Sequence, residues 1–238
     1  MKILVFDVKG EYAHFKKYYA TTSAVSYLVP PKTTLMGLLW AIGATEDNKN
    51  KDRYLHYFQE PQCKIGISVL KPLTTTRINI NLRPTYGMYV DNRKPTIMEF
   101  VKNPIYRIYF AHTNTELYQS VKRNLENATT VYTPTLGIAN LLATIQYKGE
   151  YDADEVQDSQ IVEIQTVVPK SVFNTFDAES IIRNGNEFTE QSMCAIEMDT
   201  QRNVTKRDDI LFERNGKAFN ASLSIYYKTN IPGNIVLF

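Results

Sequence analysis

The sequence predicts an α+β protein, and three observations support this fold class. Short stretches in which apolar and polar residues alternate, as they do in strands, are interspersed with two segments that carry apolar residues at helical spacing. The chain is 43% hydrophobic and 22% charged, which is ordinary for a folded globular protein. Its 238 residues suit one large domain or two small ones.

The first half of the chain places its elements in the order strand, helix, strand, strand, helix, strand. The periodicity predicts strands at 3–8, 64–70, 105–111 and 141–147, and helices at 31–43 and 113–127. Thr113 and Glu116 have the spacing of a capping box at the second helix. Gly37, inside the first helix, predicts the close approach of another backbone. This order is that of the ferredoxin-like, or RRM-like, arrangement.

Residues 74–104 are predicted to form a projecting β-hairpin, because a structureless loop of about thirty residues is improbable in a compact domain. Apolar residues alternate with polar ones along its first arm, turn residues follow at 91–95, and a return arm lies near 97–101. The polar face carries Arg77, Asn79, Asn81 and Arg83. A charged edge that prevents aggregation explains the same pattern, but the two amides favour contact with a ligand.

The remaining chain, residues 150–238, is predicted to form a small antiparallel β region that follows a domain of residues 1–149. The acidic stretch YDADEVQD, residues 151–158, is interpreted as a linker. Alternating patterns predict strands at 160–168 and 219–227, whereas residues 170–215 carry no clear pattern.

Charge divides at the same place. Residues 1–149 carry a net charge of +9 and residues 150–238 a net charge of −7, although the total is only +2. Fourteen of the sixteen tyrosines lie at or before Tyr151. A cationic, tyrosine-rich half predicts a surface for a polyanion, and the acidic half is expected to face protein neighbours.

Several classes of function have no support in the sequence. Cys63 and Cys194 match neither a disulfide framework nor a metal clamp, and the three histidines lack metal-ligand spacing, so we expect no metal and no cofactor. Phosphate-binding glycine motifs and a serine-hydrolase elbow are missing. The longest apolar stretch, residues 35–44, is half the ~20 residues of a membrane helix, so we expect a cytoplasmic protein without a membrane segment.

Two neighbouring segments carry the groups that bind single-stranded nucleic acid. Lys9–Tyr19 interleaves lysines with aromatic rings and is too polar for the core, so it offers phosphate contacts and stacking platforms. A solvated loop whose rings pack locally is the alternative. The entry of the first helix adds unpaired N–H groups and the side chains of Lys32 and Thr33, although Thr33 is also able to serve only as a cap.

A metal-independent ribonuclease is the enzymatic alternative. It needs a general base near a 2′-hydroxyl and a cation near the phosphate, and His14 or His112 with Lys16, Lys17 or a tyrosine supplies these groups. Isolated histidines are more often structural or surface residues. The sequence does not establish catalysis.

Three segments resemble the Cas-five family of the RAMP superfamily, from CRISPR type I effector complexes: FDVKGEYAHFKKYY, TTSAVSYLVPPKTTLMGLLWAIGA and TPTLGIANLLATI. The resemblance implies a ferredoxin-like domain with a thumb at Thr74–Pro104 and a C-terminal β extension. It also implies a non-catalytic antiviral subunit that caps the 5′ handle of CRISPR RNA in the Cascade surveillance complex. Its implied partners are a Cas-seven backbone subunit and the large subunit, with target DNA contacted only through the complex.

The resemblance also implies where RNA binds: at Lys9–Tyr19, Ser26–Gly37 and Thr135–Gly137. Lysines are expected to neutralise phosphates, aromatic residues to stack on bases, and the thumb to brace the handle. Relatives of subtype I-C resemble endoribonucleases that use Tyr, Lys and His, but here His112 follows Ala111 rather than a lysine, which favours the non-catalytic members. The candidate RNA-binding residues are Lys9, Tyr12, His14, Phe15, Lys16, Lys17, Tyr18, Tyr19, Ser26, Tyr27, Lys32, Thr33, Gly37, Arg77, Asn79, Asn81, Arg83, Tyr86 and Gly137.

Overall fold

The structure is a computed structural model that describes residues 1–20, 24–44, 54–82 and 94–238. Its strands and helices confirm the predicted α+β class. Two short 3₁₀ helices lie at Tyr54–Phe58 and Lys170–Val172. The helices are α1 (Lys32–Gly43), α2 (Thr115–Glu126) and α3 (Ala178–Asn184). The strands are β1 (Lys2–Lys9), β2 (Tyr12–Ala13), β3 (Phe15–Lys16), β4 (Ser26–Tyr27), β5 (Cys63–Val69), β6 (Thr74–Leu82), β7 (Lys94–Lys102), β8 (Ile105–His112), β9 (Thr144–Val156), β10 (Ile161–Ile164), β11 (Val168–Pro169), β12 (Phe173–Phe176), β13 (Phe188–Met198), β14 (Val204–Glu213), β15 (Phe219–Leu223) and β16 (Tyr226–Thr229).

A central antiparallel sheet carries the fold, with the strand order β16-β9-β1-β8-β5. The predicted succession of strands and helices in the first half is present as β1, α1, β5, β8, α2 and β9. Strand β1 is buried on both faces because alternate residues serve two cores. Leu4, Phe6 and Val8 pack with α1 and α2, whereas Ile3 and Val5 pack with the C-terminal segment of the chain.

The helix ends show where close packing occurs. Gly37 does not meet another backbone, since a Cβ there would come no nearer than 3.9 Å to the Tyr54 hydroxyl. The close approach lies instead at Gly43, where a Cβ would stand 2.3 Å from a methyl carbon of Val121 in α2. The cap of α2 is Asn114, whose side chain accepts a hydrogen bond from the Leu117 N–H at 2.9 Å. Thr113, the predicted cap, lies one residue too early.

Residues 9–27 were expected to lie outside the core, and this prediction is wrong for several of them. Phe15 and Tyr27 are each 3% exposed and belong to the main core. Strands β3 and β4 pair at Phe15 and Tyr27, and the Ser26 hydroxyl accepts a hydrogen bond from the Phe15 N–H at 2.9 Å. The predicted loop is therefore a built part of the fold, held by strand pairing and by buried rings.

The predicted hairpin is present as β6 and β7, paired from Thr74–Lys102 to Leu82–Lys94. Lys94 and Pro95, which were predicted as turn residues, instead pair with Leu82 and Asn81 inside the ladder. Residues 83–93, which include the rest of the predicted turn, lie outside the described residues. Both faces of β6 are largely exposed. Its apolar residues project with it, since Ile78 and Leu82 are 37% and 43% exposed.

The predicted linker is wrong, because residues 151–156 continue strand β9 beyond residue 149. Ala153 in this part is fully buried, and Asp154 and Glu155 pair with β16. Its acidic residues Asp152, Asp154 and Glu155 are exposed, so the stretch resembles a hydrophilic linker in sequence. The proposed division of the chain between residues 149 and 150 stays a prediction.

The C-terminal region consists of two three-stranded antiparallel sheets, β10-β15-β12 and β11-β14-β13. Each of the two predicted strands is in fact two: residues 160–168 hold β10 and the start of β11, and residues 219–227 hold β15 and the start of β16. The unassigned segment 170–215 contains β12, α3 and a long hairpin of β13 and β14. In the described chain no helix is both long and apolar enough to cross a membrane.

Candidate nucleic-acid interface

Six of the candidate residues, from three separate segments, line one groove of about 480 Å³. The first segment is the turn into β3, the second is the first two turns of α1, and the third is the turn at 133–138. These segments are far apart in sequence, and they meet because α1 packs on the central sheet. The six residues are His14, Phe15, Lys16, Thr33, Gly37 and Gly137.

Gly137 joins two of these segments directly. The His14 N–H donates to the Leu136 carbonyl at 3.0 Å, which holds the turn against the strand. Gly137 has φ +102°, and a Cβ there would lie 1.9 Å from the carbonyl oxygen of His14. Glycine is therefore required at this position both for its backbone conformation and for space.

The N-terminus of α1 opens into the groove without a side-chain cap among the described residues. Pro31 occupies the cap position, and its carbonyl accepts the Thr34 N–H at 2.9 Å. The preceding N–H groups of a helix lack intrahelical partners and favour an anion. Lys16 is the lysine that lines the groove among the described residues. Four threonines add hydroxyl donors to its wall: Thr33, Thr34, Thr133 and Thr135.

Lys32 does not belong to this surface, although it stands at the same helix entry. Its side chain is fully buried, and its Nζ lies 3.6 Å from the Glu60 carboxylate. Burial lowers the pKa of Lys32 below the ordinary value for lysine, and the attraction of Glu60 offsets this only in part. A buried ammonium group cannot reach a phosphate outside the protein, so its predicted role is withdrawn.

A second group of candidates forms a cationic and aromatic cluster near the groove. Tyr18 and Tyr19 are 51% and 54% exposed, and their rings meet edge to face with centroids 5.2 Å apart. The Nζ of Lys17 lies 5.9 Å from the centre of the Tyr19 ring and 5.8 Å from that of Tyr27. The two exposed rings are thus available as stacking platforms.

Arg207, which the sequence did not single out, belongs to this cluster. Its guanidinium carbon lies 4.3 Å from the centre of the Tyr18 ring, and a guanidinium nitrogen donates to the Met193 carbonyl at 3.1 Å. The β13–β14 hairpin therefore brings a cation from the acidic half to the tyrosine-rich surface. Sequence pattern held no signal for this contact, because Arg207 lies in a strand that was not predicted.

Three aromatic candidates are positioned for packing rather than for stacking on bases. Phe15 and Tyr27 are buried, and the Tyr27 hydroxyl donates to the Ser192 carbonyl at 3.0 Å. Burial raises the pKa of Tyr27 far above its ordinary value, so the phenol stays neutral. The Tyr12 ring is partly buried and meets Phe100 edge to face at 5.9 Å.

The thumb candidates divide into described and undescribed residues. Arg77 is 71% exposed at its side chain, and its Nε lies 3.6 Å from the Glu99 carboxylate on the paired strand. Asn79 and Asn81 are exposed on the same face as Arg77. Arg83 and Tyr86 lie outside the described residues.

The family of the chain follows from its match to one family model. The family model described as CRISPR-associated protein (Cas_Cas5) matches residues 3–133, which is more than half of the chain. The chain belongs to this family. The predicted family membership is thereby confirmed, and it rests on the half that carries the groove.

The chain was also compared with solved structures, and the first of the following three shows a similar fold. A CRISPR protein from Archaeoglobus fulgidus matches with a TM-score of 0.60 at 11% identity, over 99% of this chain and 98% of that chain. A chain of a CRISPR RNA-guided surveillance complex gives 0.46 at 9% identity, over 92% and 90%. A chain of the type III-B Cmr-beta complex bound to cognate target RNA gives 0.48 at 11%, over 92% and 86%. Among curated proteins, no relative matches the chain.

Two of the three histidines of this Cas_Cas5 family member, His14 and His112, are hydrogen-bonded to the backbone, and the third, His56, is exposed. His112 donates from Nε2 to the Tyr57 carbonyl at 2.6 Å, and its Nδ1 accepts the Asn114 N–H at 2.8 Å. Burial lowers the pKa of His112. Its two hydrogen-bond partners place the proton of the neutral ring on Nε2. His14 donates from Nδ1 to the Glu99 carbonyl at 2.7 Å and is 3% exposed. Among the described residues, no group of three His, Cys, Asp or Glu is placed to hold a metal.

Proposed function

We propose that this chain is a non-catalytic, RNA-binding subunit of a type I CRISPR surveillance complex in the cytoplasm, and that its groove holds the 5′ handle of CRISPR RNA. The groove would seat backbone phosphates on the α1 N-terminus, the threonine hydroxyls and Lys16. Lys17, Tyr18, Tyr19 and Arg207 would engage the bases beside it. The ferredoxin-like description of the first half belongs to this proposal and is supported by the antiparallel strand order β9-β1-β8-β5.

The observation that carries the proposal is the convergence of three distant segments on one polar groove. Sequence pattern predicts RNA contact for the first two segments, and the family resemblance implies it for the third. A packing explanation accounts for Phe15 but not for the exposed Lys16, nor for an α1 N-terminus that no side chain of the described residues caps. Unpaired helix N–H groups, hydroxyl donors and a cation together form a phosphate site.

Neighbouring subunits are proposed to cover the thumb and its apolar residues. Ile97 is 63% exposed on one face of the hairpin, and Ile78 and Leu82 are exposed on the other. A projecting hairpin with apolar residues on both faces exposes surface that a soluble monomer rarely carries. We assign this surface to the Cas-seven backbone subunit and the large subunit, through which target DNA would be reached.

The ribonuclease alternative has less support. Both ring nitrogens of His112 are engaged by the backbone, and the residue before it is Ala111. Incubation of the purified chain with labelled repeat RNA and EDTA separates the two functions. Specific cleavage that is lost in His14→Ala or His112→Ala would establish the nuclease, whereas intact and bound RNA supports the scaffold.

Binding of a handle-derived RNA tests the groove. We expect the double variant Lys16→Gln with Lys17→Gln to bind more weakly in fluorescence anisotropy and to lose about 1.4 from the slope of log K against log salt, because each phosphate contact of a single strand contributes about 0.7. Lys170→Gln is the matched control, since Lys170 is exposed but pairs with Glu190 at 3.3 Å. Unchanged affinity and slope in the double variant would overturn the assignment of the groove.

A further inference from the structure

One part of the central sheet is open on the face opposite the helices. The row Ile3, Val5, Asp7 and Lys9 runs along β1 on this face, and its first half is covered by Ile235 and other C-terminal residues. Asp7 and Lys9 continue the row past the covered part, and Lys9 is exposed. This places Lys9 on the opposite face from the groove residues with which the sequence pattern grouped it.

A cluster of charges occupies this open part. The Asp7 carboxylate accepts two hydrogen bonds from Arg107, from Nε at 2.8 Å and from a terminal nitrogen at 3.1 Å. The Nζ of Lys148 lies 3.2 Å from Oδ2 of the same carboxylate, the oxygen that also accepts from the terminal nitrogen of Arg107. The Asp7 side chain is 12% exposed, whereas those of Arg107 and Lys148 are 27% and 29% exposed. The carboxylate is therefore covered by two cations that still reach solvent.

Lys148 lies at a bulge in β9. Val5 pairs with Gly149 and Phe6 with Tyr147, so Lys148 is the extra residue of the bulge. Gly149 permits it with φ +141°, and a Cβ there would lie 3.1 Å from the Tyr151 ring. Gln146, two residues before Lys148, pairs with Asp7. Bulges are over-represented next to functional sites.

The charges of the cluster do not balance. Lys9, Arg107 and Lys148 supply three positive charges, and Asp7 is the one carboxylate within 4.0 Å of Arg107 and Lys148 among the described residues. The bidentate pair with Arg107 already neutralises Asp7, so a structural ion pair needs no second cation. Gln146 and Thr144 are exposed on the adjacent strand and add uncharged polar groups.

We propose that this patch, defined as Lys9, Arg107, Lys148 and Gln146, binds the phosphodiester backbone of a nucleic acid outside the groove. Asp7 is a positioning residue that holds the two cations side by side. The exposed rings of the described chain, Tyr18, Tyr19 and Tyr132, do not lie on this row, so the patch suits phosphates rather than unstacked bases. The backbone comes either from the single strand that leaves the groove past the end of β1 or from a separate duplex.

The test uses the full chain and two fluorescent probes, a handle-derived single-stranded RNA and a DNA duplex of random sequence. The test variant is Lys9→Gln with Lys148→Gln, which leaves the Asp7–Arg107 pair intact. Lys2→Gln is the matched control, because Lys2 lies at the other end of β1, about 23 Å away at 3.3 Å per residue, and is equally a surface lysine on this strand. Thermal melting checks that all variants fold.

We expect the test variant to lose about 1.4 to 1.8 from the salt slope for at least one probe, since each contact contributes about 0.7 on single strands and about 0.9 on duplexes. A loss with the RNA alone identifies the strand that leaves the groove, and a loss with the duplex alone identifies a separate ligand. Wild-type slopes with both probes, an equal loss in Lys2→Gln, or no binding by the unmodified chain would each overturn the proposal. Groove variants are measured in parallel, so failure of this patch is distinguishable from failure of the groove.

Discussion

At the scale of single residues, the shape of the groove depends on one glycine in its wall. Gly137 allows the 133–138 turn to lie against the backbone of His14, where any side chain would collide with a carbonyl. This contact holds together two of the segments that line the groove, residues 14–16 and residues 133–138. The shape of the groove is thus set by a backbone contact rather than by the polar groups that line it.

Gly137→Ala is expected to destabilise the fold by about 3 kcal/mol, because it adds both backbone strain and a clash at 1.9 Å. Gly185→Ala is the matched control: Gly185 also has a positive φ, of +57°, but a Cβ there meets nothing nearer than 3.9 Å. The control should cost about 1 kcal/mol. Chemical denaturation measures both, and equal losses would show that the clash is relieved by movement of the turn.

The residue scale also shows what sequence reasoning is able to predict about a site. It singled out the Lys9–Tyr19 segment by its lysines and aromatic rings and the α1 entry by its N–H groups, and the family resemblance added the 135–137 turn. It misplaced Lys9 and Lys32 because proximity in sequence does not fix direction: Lys9 lies on the far sheet face, and Lys32 turns inward to Glu60. It missed Arg207, whose position depends on the packing of a distant hairpin.

At the scale of elements, the start of α2 distinguishes a sequence pattern from the structure. Asn114→Ala is expected to cost about 1 kcal/mol, because its side chain accepts the Leu117 N–H at 2.9 Å. Thr113→Ala, at the position that the sequence pattern selected, should stay within about 0.5 kcal/mol, since Thr113 is exposed and does not cap. Denaturation midpoints of the two variants give the comparison, and a larger loss in Thr113→Ala would contradict the observed cap.

Elements with one strong period were predictable, and elements with mixed surroundings were not. Strand β1 and helices α1 and α2 bury continuous or helically spaced apolar residues, so their existence follows from the sequence. Residues 151–156 of β9 were misread as a linker because Asp152, Asp154 and Glu155 are acidic and exposed. The β13–β14 hairpin escaped notice because its ladder shifts register three times, which interrupts the alternation.

At the scale of the whole molecule, the two oppositely charged halves meet inside the central sheet. Strand β9 carries the first carboxylates of the acidic half, and they pair with lysines of the basic half: Lys2–Asp152, Lys64–Glu155 and Lys122–Glu150. The division of charge along the sequence is therefore partly neutralised in the fold. Lys16 in the groove and Lys9, Arg107 and Lys148 on the open sheet face concentrate positive potential where nucleic acid is proposed to bind.

Glu155 joins three strands of the sheet and links these halves. Protonation of its carboxylate at low pH should therefore lower the stability of the fold. Its carboxylate accepts hydrogen bonds from the Tyr227 hydroxyl at 2.7 Å and from Lys64 at 3.1 Å, and the bonds from Tyr227, Gln157 and Lys64 lower the pKa of Glu155 to about 2. A pKa below its unfolded value contributes stability that is fully present above about pH 4.5 and is lost as the pH falls towards 2. The melting temperature of Glu155→Gln should therefore depend less on pH in this range than that of the wild type. Glu163→Gln, a control at an exposed carboxylate, should show the wild-type dependence of melting temperature on pH. Identical acid profiles of Glu155→Gln and the wild type would show that this carboxylate does not couple the two halves.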